Sequence, residues 1–362
     1  MNPIGSRKWP GRATKRCQLG VSLIELMISL TIGLMLIATL TLIFANTGSA
    51  LSELQKSGQR IDNGRYALEV LTGAVQNAGY FAEFNPRQIA LPGSMPDPCL
   101  VDAVGLGSAL ALHVQGYDDV TADQLSCVAD VKPGTDITVV RRVNGCVSGA
   151  LGCSTLTSGS FAFQASLCGS AAELGSGSAS DYYVFSDDTS KFTKKRKDCA
   201  TPANVRAFVI SIYFVAANDR PGDGIPTLKR AELTGGLWPI TSLVQGIEDM
   251  QIEYGLDTDA NGSADVYTPA PAGYLGCTSS SAPTCAQHWA SVVTARVIVM
   301  ARNGEKSSGY ADAKTYTLGR LANGPNGAIG TDKRVGPLSD GYKRTVFQQL
   351  IRFQNPGSRN SS

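Results

Sequence analysis

The sequence predicts an α+β protein, with one long N-terminal helix packed on a mainly antiparallel β-sheet and large loop insertions tied by disulfides. Three observations carry this expectation. An apolar run near the N-terminus continues into an amphipathic helical pattern. Several β-branched and aromatic runs follow without regular alternation with helices, which argues against a doubly wound parallel sheet. Eight of the nine cysteines lie beyond the apolar run.

Residues 1–20 contain Arg7, Lys8, Arg12, Lys15 and Arg16 and no acid. Val21 to Ala45 then gives 25 residues with one charge, Glu25. At 1.5 Å per residue that is about 37 Å of helix, enough to cross a bilayer. The basic flank assigns residues 1–20 to the cytoplasm and the bulk of the chain to the far side. The run is too long for an ordinary secretory signal, and no A-x-A-like site closes it. A carboxylate at the centre of such a helix costs roughly 2.5–3.5 kcal/mol on insertion scales, and less near an end, so Glu25 calls for a partner. Cutting between Gly20 and Val21 creates that partner, a new α-amine four residues away, and glycine before the cut lets a peptidase approach the backbone closely. The string Gly20-Val21-Ser22-Leu23-Ile24-Glu25 resembles the type IV prepilin cleavage and methylation motif. The resemblance implies cleavage after Gly20, N-methylation of Val21 and an assembly role for Glu25. Val21 stands where that family most often has Phe.

Beyond the apolar run, Leu51, Leu54, Ile61, Leu68, Leu71, Val75 and Ala78 recur at steps of three, four or seven. Charged and amide side chains lie between them, so this half is one-sided and needs a sheet to bury its stripe. Gly79 and Pro86 read as the stop. The organisation expected is a leader at 1–20, a helix over 21–80 with a transmembrane and assembly half at 21–45, and a β-rich periplasmic domain over 81–362.

The strand-like runs are 135–143, 181–185, 205–215 and 292–300, with weaker ones at 228–233, 250–255 and 345–353. The Gly/Ser-rich stretch 148–180 reads as an irregular surface excursion, and the tail after Asn355 as frayed. Two patches carry a second resemblance. Ile61-Asp-Asn-Gly-Arg-Tyr-Ala-Leu-Glu-Val-Leu with Ala78-Gly-Tyr-Phe, and Leu243-Val-Gln-Gly-Ile-Glu-Asp-Met-Gln-Ile-Glu-Tyr-Gly-Leu-Asp with the downstream strand SVVTARVIVMAR, are similar to PilW-type minor pilins of type IV pili. The resemblance implies a type IV pilin-like fold and a structural role: a minor pilin in a complex that primes pilus assembly and caps the tip. The partners it implies are other minor and major pilins, a prepilin peptidase, an inner-membrane assembly platform and a tip adhesin. The location it implies is the inner membrane, then the pilus at the cell surface, with cell adhesion and twitching motility as associated processes. The J-type pseudopilin of type II secretion shares the helix and part of the fold and is the alternative. A surface adhesin or DNA-binding module is a third reading.

Without the leader the chain has 342 residues, 27 basic and 30 acidic side chains, and eight cysteines. No excess of positive charge supports nucleic-acid binding by the whole domain. Cys99, Cys127, Cys146, Cys153, Cys168, Cys199, Cys277 and Cys285 are the disulfide candidates, with 105 possible pairings. Short spacing favours Cys277–Cys285 and Cys146–Cys153. No C-x-x-C supports a zinc ribbon or thioredoxin-type site. Asp257-Thr-Asp259-Ala-Asn261-Gly262-Ser263-Ala-Asp265 resembles the first nine positions of an EF-hand calcium loop, with oxygens at alternate residues and glycine at the turn. Thr268 replaces the glutamate expected at the twelfth position, and an acidic Asx-turn hairpin is the competing reading. No cofactor other than Ca2+ is expected. The basic run Lys191 to Lys197 with Phe192 reads as a solvated loop. His113 and His288, the two histidines, lie in no catalytic motif, and no G-x-S-x-G, P-loop or dinucleotide fingerprint is present, so the chain reads as a peptidase substrate and not an enzyme.

Overall fold

The computed structural model describes residues 20–121, 124–157, 159–175, 177–178, 181–276, 283–322 and 329–359. In chain order the elements are α1 (Leu23–Asn77), α2 (Ala103–Ser108), β1 (Val114–Val120), β2 (Thr135–Val143), β3 (Ala162–Ala165), α3 (Ala171–Leu174), β4 (Tyr183–Ser186), β5 (Val205–Ala216), β6 (Thr227–Glu232), β7 (Ile240–Gln245), β8 (Ile247–Leu256), β9 (Val266–Thr268), α4 (Pro283–Ala290), β10 (Val292–Arg302), β11 (Tyr316–Arg320), β12 (Asp332–Val335), β13 (Arg344–Arg352) and α5 (Gln354–Arg359), with short 3-10 turns between some of them. The chain divides into two units, one ending at Gln55 and one starting at Lys56.

In the first unit the apolar side chains of α1 are exposed, and its most apolar 18-residue stretch has a mean hydropathy of 2.4. The hydroxyls within it are not left open. Ser29, Thr31, Thr39, Thr41 and Ser49 each donate to a carbonyl three or four residues back. Polar groups satisfied inside the helix are what an apolar surrounding demands. Leu51 and Leu54, expected on the buried stripe, are exposed. The described residues of their unit contain no sheet that could cover them.

In the second unit the stripe is Gly64, Ala67, Leu68, Leu71 and Val75, at three- and four-residue steps. Gly64 permits the closest approach: a Cβ there would lie 2.2 Å from the Phe347 ring on β13. α1 ends at Asn77, followed by Gly79 at φ 69°. Asn355 Nδ2 donates to the carbonyls of Gln76 and Ala78, satisfying part of the helix C-terminus. The tail expected to fray is therefore α5 over Gln354–Arg359, and residues 360–362 lie outside the described residues.

Among the described residues the expected single sheet is three, all antiparallel. β5 is the centre of a seven-stranded sheet. It pairs with β2 over residues 208–213, with β6 over 211–216 and with β3 over 205–207. β1 extends the sheet beyond β2, β4 beyond β3 and β7 beyond β6. The four-stranded sheet runs β13-β10-β8-β9, and β11 and β12 form a hairpin sheet. β5 reads as a continuous apolar run because both of its faces are buried. Tyr213 and Val215 enter the core shared with α1 and the four-stranded sheet, whereas Phe208, Ile210, Ile212 and Phe214 enter a second core with Phe81, Phe84 and Leu110. β3 corrects the expectation of irregular structure over 148–180. Its Ala162, Phe163 and Gln164 are buried between β5 and β4, and the Phe163 ring meets Phe81, Phe84 and Tyr183 at 5.1–5.4 Å. Four residues within a Gly/Ser-rich stretch carry no periodicity of their own.

The second face of β8 and β10 is ionic. Glu253, with its side chain only 2% exposed, meets Arg296 at 3.0 Å and Arg320 at 3.0 Å. On β13, Arg344 is 1% exposed and binds three carboxylates: Glu248 through both oxygens, Asp312 at 2.9 Å and Asp340 at 2.7 Å. Asp136 ties the two large sheets together. Its oxygens accept the Asp119 N–H at 2.9 Å and the Ile252 N–H of β8 at 2.7 Å. Burial pushes its carboxyl well above the usual carboxylate range.

Candidate functional site

The N-terminal segment is built by the start of α1. Gly20, Val21 and Ser22 precede the helix, and Gly20 is exposed. A Cβ at Gly20 would meet none of the described residues within 4 Å, so no contact among them requires glycine there. Ser22 is the residue before the first helical turn. Its backbone N–H donates to Glu25 Oε2 at 3.1 Å, and its carbonyl accepts the Leu26 N–H at 3.1 Å. Glu25 therefore reaches back as the third residue of a capping box, beside the positive end of the helix dipole. The S-x-x-E spacing of Ser22 and Glu25 carried this signal, but sequence reasoning assigned Glu25 only the new amine as partner.

The acidic loop between β8 and β9 gathers three carboxylates. One oxygen from each of Asp257, Asp259 and Asp265 lies within 4.8 Å of the others. Backbone donors hold them. Asp257 accepts the N–H groups of Asn261 and Gly262 at 3.1 and 2.8 Å, and Asp265 accepts that of Thr258 at 2.7 Å. The Thr258 bonds keep the Asp265 carboxyl below its ordinary range. Asn261 is turned inward: its side-chain oxygen accepts the Ser263 N–H at 2.8 Å, and its amide donates to Asp259. Gly262 takes φ 85°, and Arg352 donates to its carbonyl at 3.3 Å. Thr268 is buried on β9, and its hydroxyl accepts the Ala270 N–H. Three of the five expected ligands thus converge, while Asn261 and Ser263 bond each other.

Cys99 pairs with Cys127, Cys146 with Cys153 and Cys168 with Cys199. Cys285 is also disulfide-bonded, and Cys277 lies outside the described residues. The bonds staple segments of low apolar content. Cys146–Cys153 closes 7 residues of loop, and the other two close 28 and 31. The basic run folds back on itself. Lys194 Nζ donates to the Asp181 carbonyl, and the Lys195 N–H donates to Glu173 at 2.7 Å.

The histidines have structural surroundings. His113 is buried against Phe353, with Nε2 2.9 Å from the Val292 carbonyl oxygen. Burial lowers its pKa to about 3, so the ring is neutral at ordinary pH. His288 Nδ1 lies 3.1 Å from the Pro271 carbonyl oxygen.

Two family models match. The prokaryotic N-terminal methylation motif covers residues 15–41, which include Gly20, Val21 and Glu25. The type IV pilus-assembly protein W model covers residues 212–355, from the second half of β5 through β13. The chain carries a PilW-type segment and a prepilin methylation motif. The matched part of this pilin holds the whole four-stranded sheet that α1 packs on, and the motif holds the segment before and within the apolar helix. No protein of curated function matches. Among solved structures, the type IV-like pilin TTHA1219 from Thermus thermophilus is similar, with 10% identity, a TM-score of 0.33 and coverage of 82% of this chain and 96% of that one. The family is one of structural subunits. The two matches imply, in general terms, contact with other pilus components and with a prepilin peptidase. The prepilin motif and apolar helix fit anchoring in a membrane before assembly.

Proposed function

We propose that this minor pilin is cut after Gly20, methylated on the Val21 amine and drawn from the inner membrane into the pilus by its N-terminal helix. Before cutting, Val21–Ala45 crosses the membrane once, with residues 1–20 in the cytoplasm. The subunit acts with other minor pilins to prime assembly at the platform and stands near the tip, where an adhesin joins it. It carries no catalytic function. The observation that carries this reading is an exposed Gly20 that no contact among the described residues requires, two residues ahead of the capped turn holding Glu25. A small residue kept without internal cause fits an external reader, the peptidase. Intact mass and N-terminal sequencing of the protein from sheared pili test it. The reading expects a 342-residue chain beginning with methyl-valine. A chain still carrying Lys15 and Arg16 would overturn it.

Glu25 supplies axial register. In a low-dielectric helix bundle its carboxylate pairs with an N-terminal ammonium, and an unmatched charge there is costly. Glu25→Ala is expected to leave insertion and cleavage intact while the amount of this subunit in sheared pili falls at least about tenfold, since one tenfold step needs only about 1.4 kcal/mol. Equal amounts in mutant and unsubstituted pili would remove the register role.

A calcium ion held by Asp257, Asp259 and Asp265 is the cofactor we assign to the acidic loop. Three carboxylates within 4.8 Å repel one another, and a divalent cation relieves this where backbone donors do so only in part. Calcium in millimolar amounts is expected to raise the thermal midpoint, and an Asp257→Ala plus Asp259→Ala chain is expected to lose that shift. The same shift in both chains would exclude the site.

A further inference from the structure

We propose that the cavity between β3 and the basic hairpin after β4 is a binding site for an organic anion, a carboxylate or phosphate carried on a compact apolar group. The proposal goes beyond assembly and does not depend on it. The cavity measures about 400 Å³, within the range of small-ligand sites. Phe163 and Ala165 of β3, with Phe81 and Ala203, form its apolar floor. Arg196, Lys197 and Arg206 form its polar walls.

The wall that carries Arg196 and Lys197 is held rigidly. Within the hairpin the Arg196 N–H donates to Thr201 O, the Cys199 N–H to Arg196 O and the Ala203 N–H to Lys194 O, each at 2.8 Å. The Leu167 N–H donates to Lys195 O at 2.9 Å, and the Cys168–Cys199 disulfide fastens the hairpin tip to the same segment. From beneath, the buried Gln164 side chain of β3 donates to the Lys194 and Ala203 carbonyls and accepts the Lys194 N–H. Asn204 Oδ1 accepts from Arg196 Nη2 at 2.8 Å and so orients the guanidinium. A preorganised cation over an apolar floor needs little ordering when a ligand arrives.

The charges do not cancel within the cavity. Arg206 spends Nη1 on the Asn144 and Gly145 carbonyls, which are neutral acceptors, and its buried Nε has no partner. Two acids lie nearby. Asp198 lines the cavity as an anion, and the Thr201 hydroxyl and the Ala200 and Thr201 N–H groups bond it and hold its carboxyl at about 2. Glu83 at the rim is exposed. Three cations thus face two acids, which leaves a surplus of one positive charge over an apolar floor. Arginine forks match both carboxylate and phosphate, so the geometry selects the charge and the apolar body but leaves the oxyanion type to experiment.

The test uses the full chain in a non-ionic detergent and four probes of equal apolar body: phenylacetate, phenyl phosphate, 2-phenylethanol and 2-phenylethylamine. Titration calorimetry is expected to show saturable binding of at least one acid with a Kd of about 1 mM or tighter. The alcohol and the amine are expected to bind at least about tenfold more weakly. Arg196→Ala and Lys197→Ala are each expected to weaken the acid about tenfold. Lys197 has an exposed side chain, so its removal leaves the fold intact. Binding of one acid alone supports the site and identifies the oxyanion. Binding of neither acid, equal binding of the neutral alcohol, or an unchanged Kd in both variants overturns the proposal.

Discussion

A Gly20→Lys chain is expected to remain uncut, with intact mass showing the leader on every molecule and no subunit recovered in sheared pili. The expectation follows from what surrounds position 20. The residue lies outside α1, which begins at Leu23, and is exposed. A side chain there meets none of the described residues within 4 Å, so the packing of those residues is untouched. The effect must therefore appear at the peptidase, where a long cationic side chain next to the scissile bond blocks close approach of the backbone. Gly20→Ala, one methyl larger, is expected to be cut more slowly and not abolished. Cleavage of Gly20→Lys at the unsubstituted rate would break the link between Gly20 and processing. Loss of the protein from cells, with no uncut form, would place the requirement in insertion or folding instead.

Replacing Arg344 with methionine is expected to destabilise the second unit by about 3–5 kcal/mol, the cost typical of removing one side of a buried ion network. Three carboxylates, Glu248, Asp312 and Asp340, converge on this one guanidinium. Without it the buried Asp312 loses its cation, Glu248 keeps only Arg302 at 3.6 Å, and β13 loses this tie to β8. Denaturant unfolding measures the loss. The pH dependence gives a second reading. Hydrogen bonding to Arg344 holds the Asp340 carboxyl below its ordinary value. Burial opposes ionisation of Asp312, but its bonds to Arg344 and Tyr316 outweigh burial and lower it too. Groups with lowered folded values contribute stability above their unfolded pKa of about 4, and that contribution is lost as pH falls through the folded values. The unsubstituted protein should therefore lose stability below about pH 4, and Arg344→Met should lose less over the same window. A loss under 1 kcal/mol with an unchanged acid limb would show that the carboxylates find other partners.

Much of the architecture was legible because it rests on local signals. The helix of α1 was readable from the apolar run and the later stripe. β2, β5 and β10 were readable because β-branched and aromatic residues dominate them. β1 was not, since Val114–Val120 includes Gly116, Asp118 and Asp119, and its strand state comes from pairing with β2. β3 was hidden in the same way by its Gly/Ser-rich flanks. The start of the buried stripe was misplaced because Leu51 and Leu54 match the period as well as Leu68 and Leu71 do. Periodicity reports a face but not what lies opposite it. In the N-terminal segment Gly20, Val21 and Glu25 were singled out by their resemblance to the prepilin motif, and the methylation-motif match over residues 15–41 includes all three. The ionic face of β8 and β13 was not, because its partners lie about a hundred residues apart, as Glu248 and Arg344 do.

The bond between Ser22 and Glu25 has a consequence for reversibility. Ser22 lies after the proposed cut, so its N–H would remain available to a processed chain. A Glu25 carboxylate that pairs with a neighbour's ammonium gives up a backbone donor and does not emerge from isolation. When the neighbour departs, the same donor is waiting. Joining and leaving a bundle then becomes an exchange between two partners, with only the difference between them at stake. An acid supplied in this way discriminates among neighbours without locking the subunit to any of them.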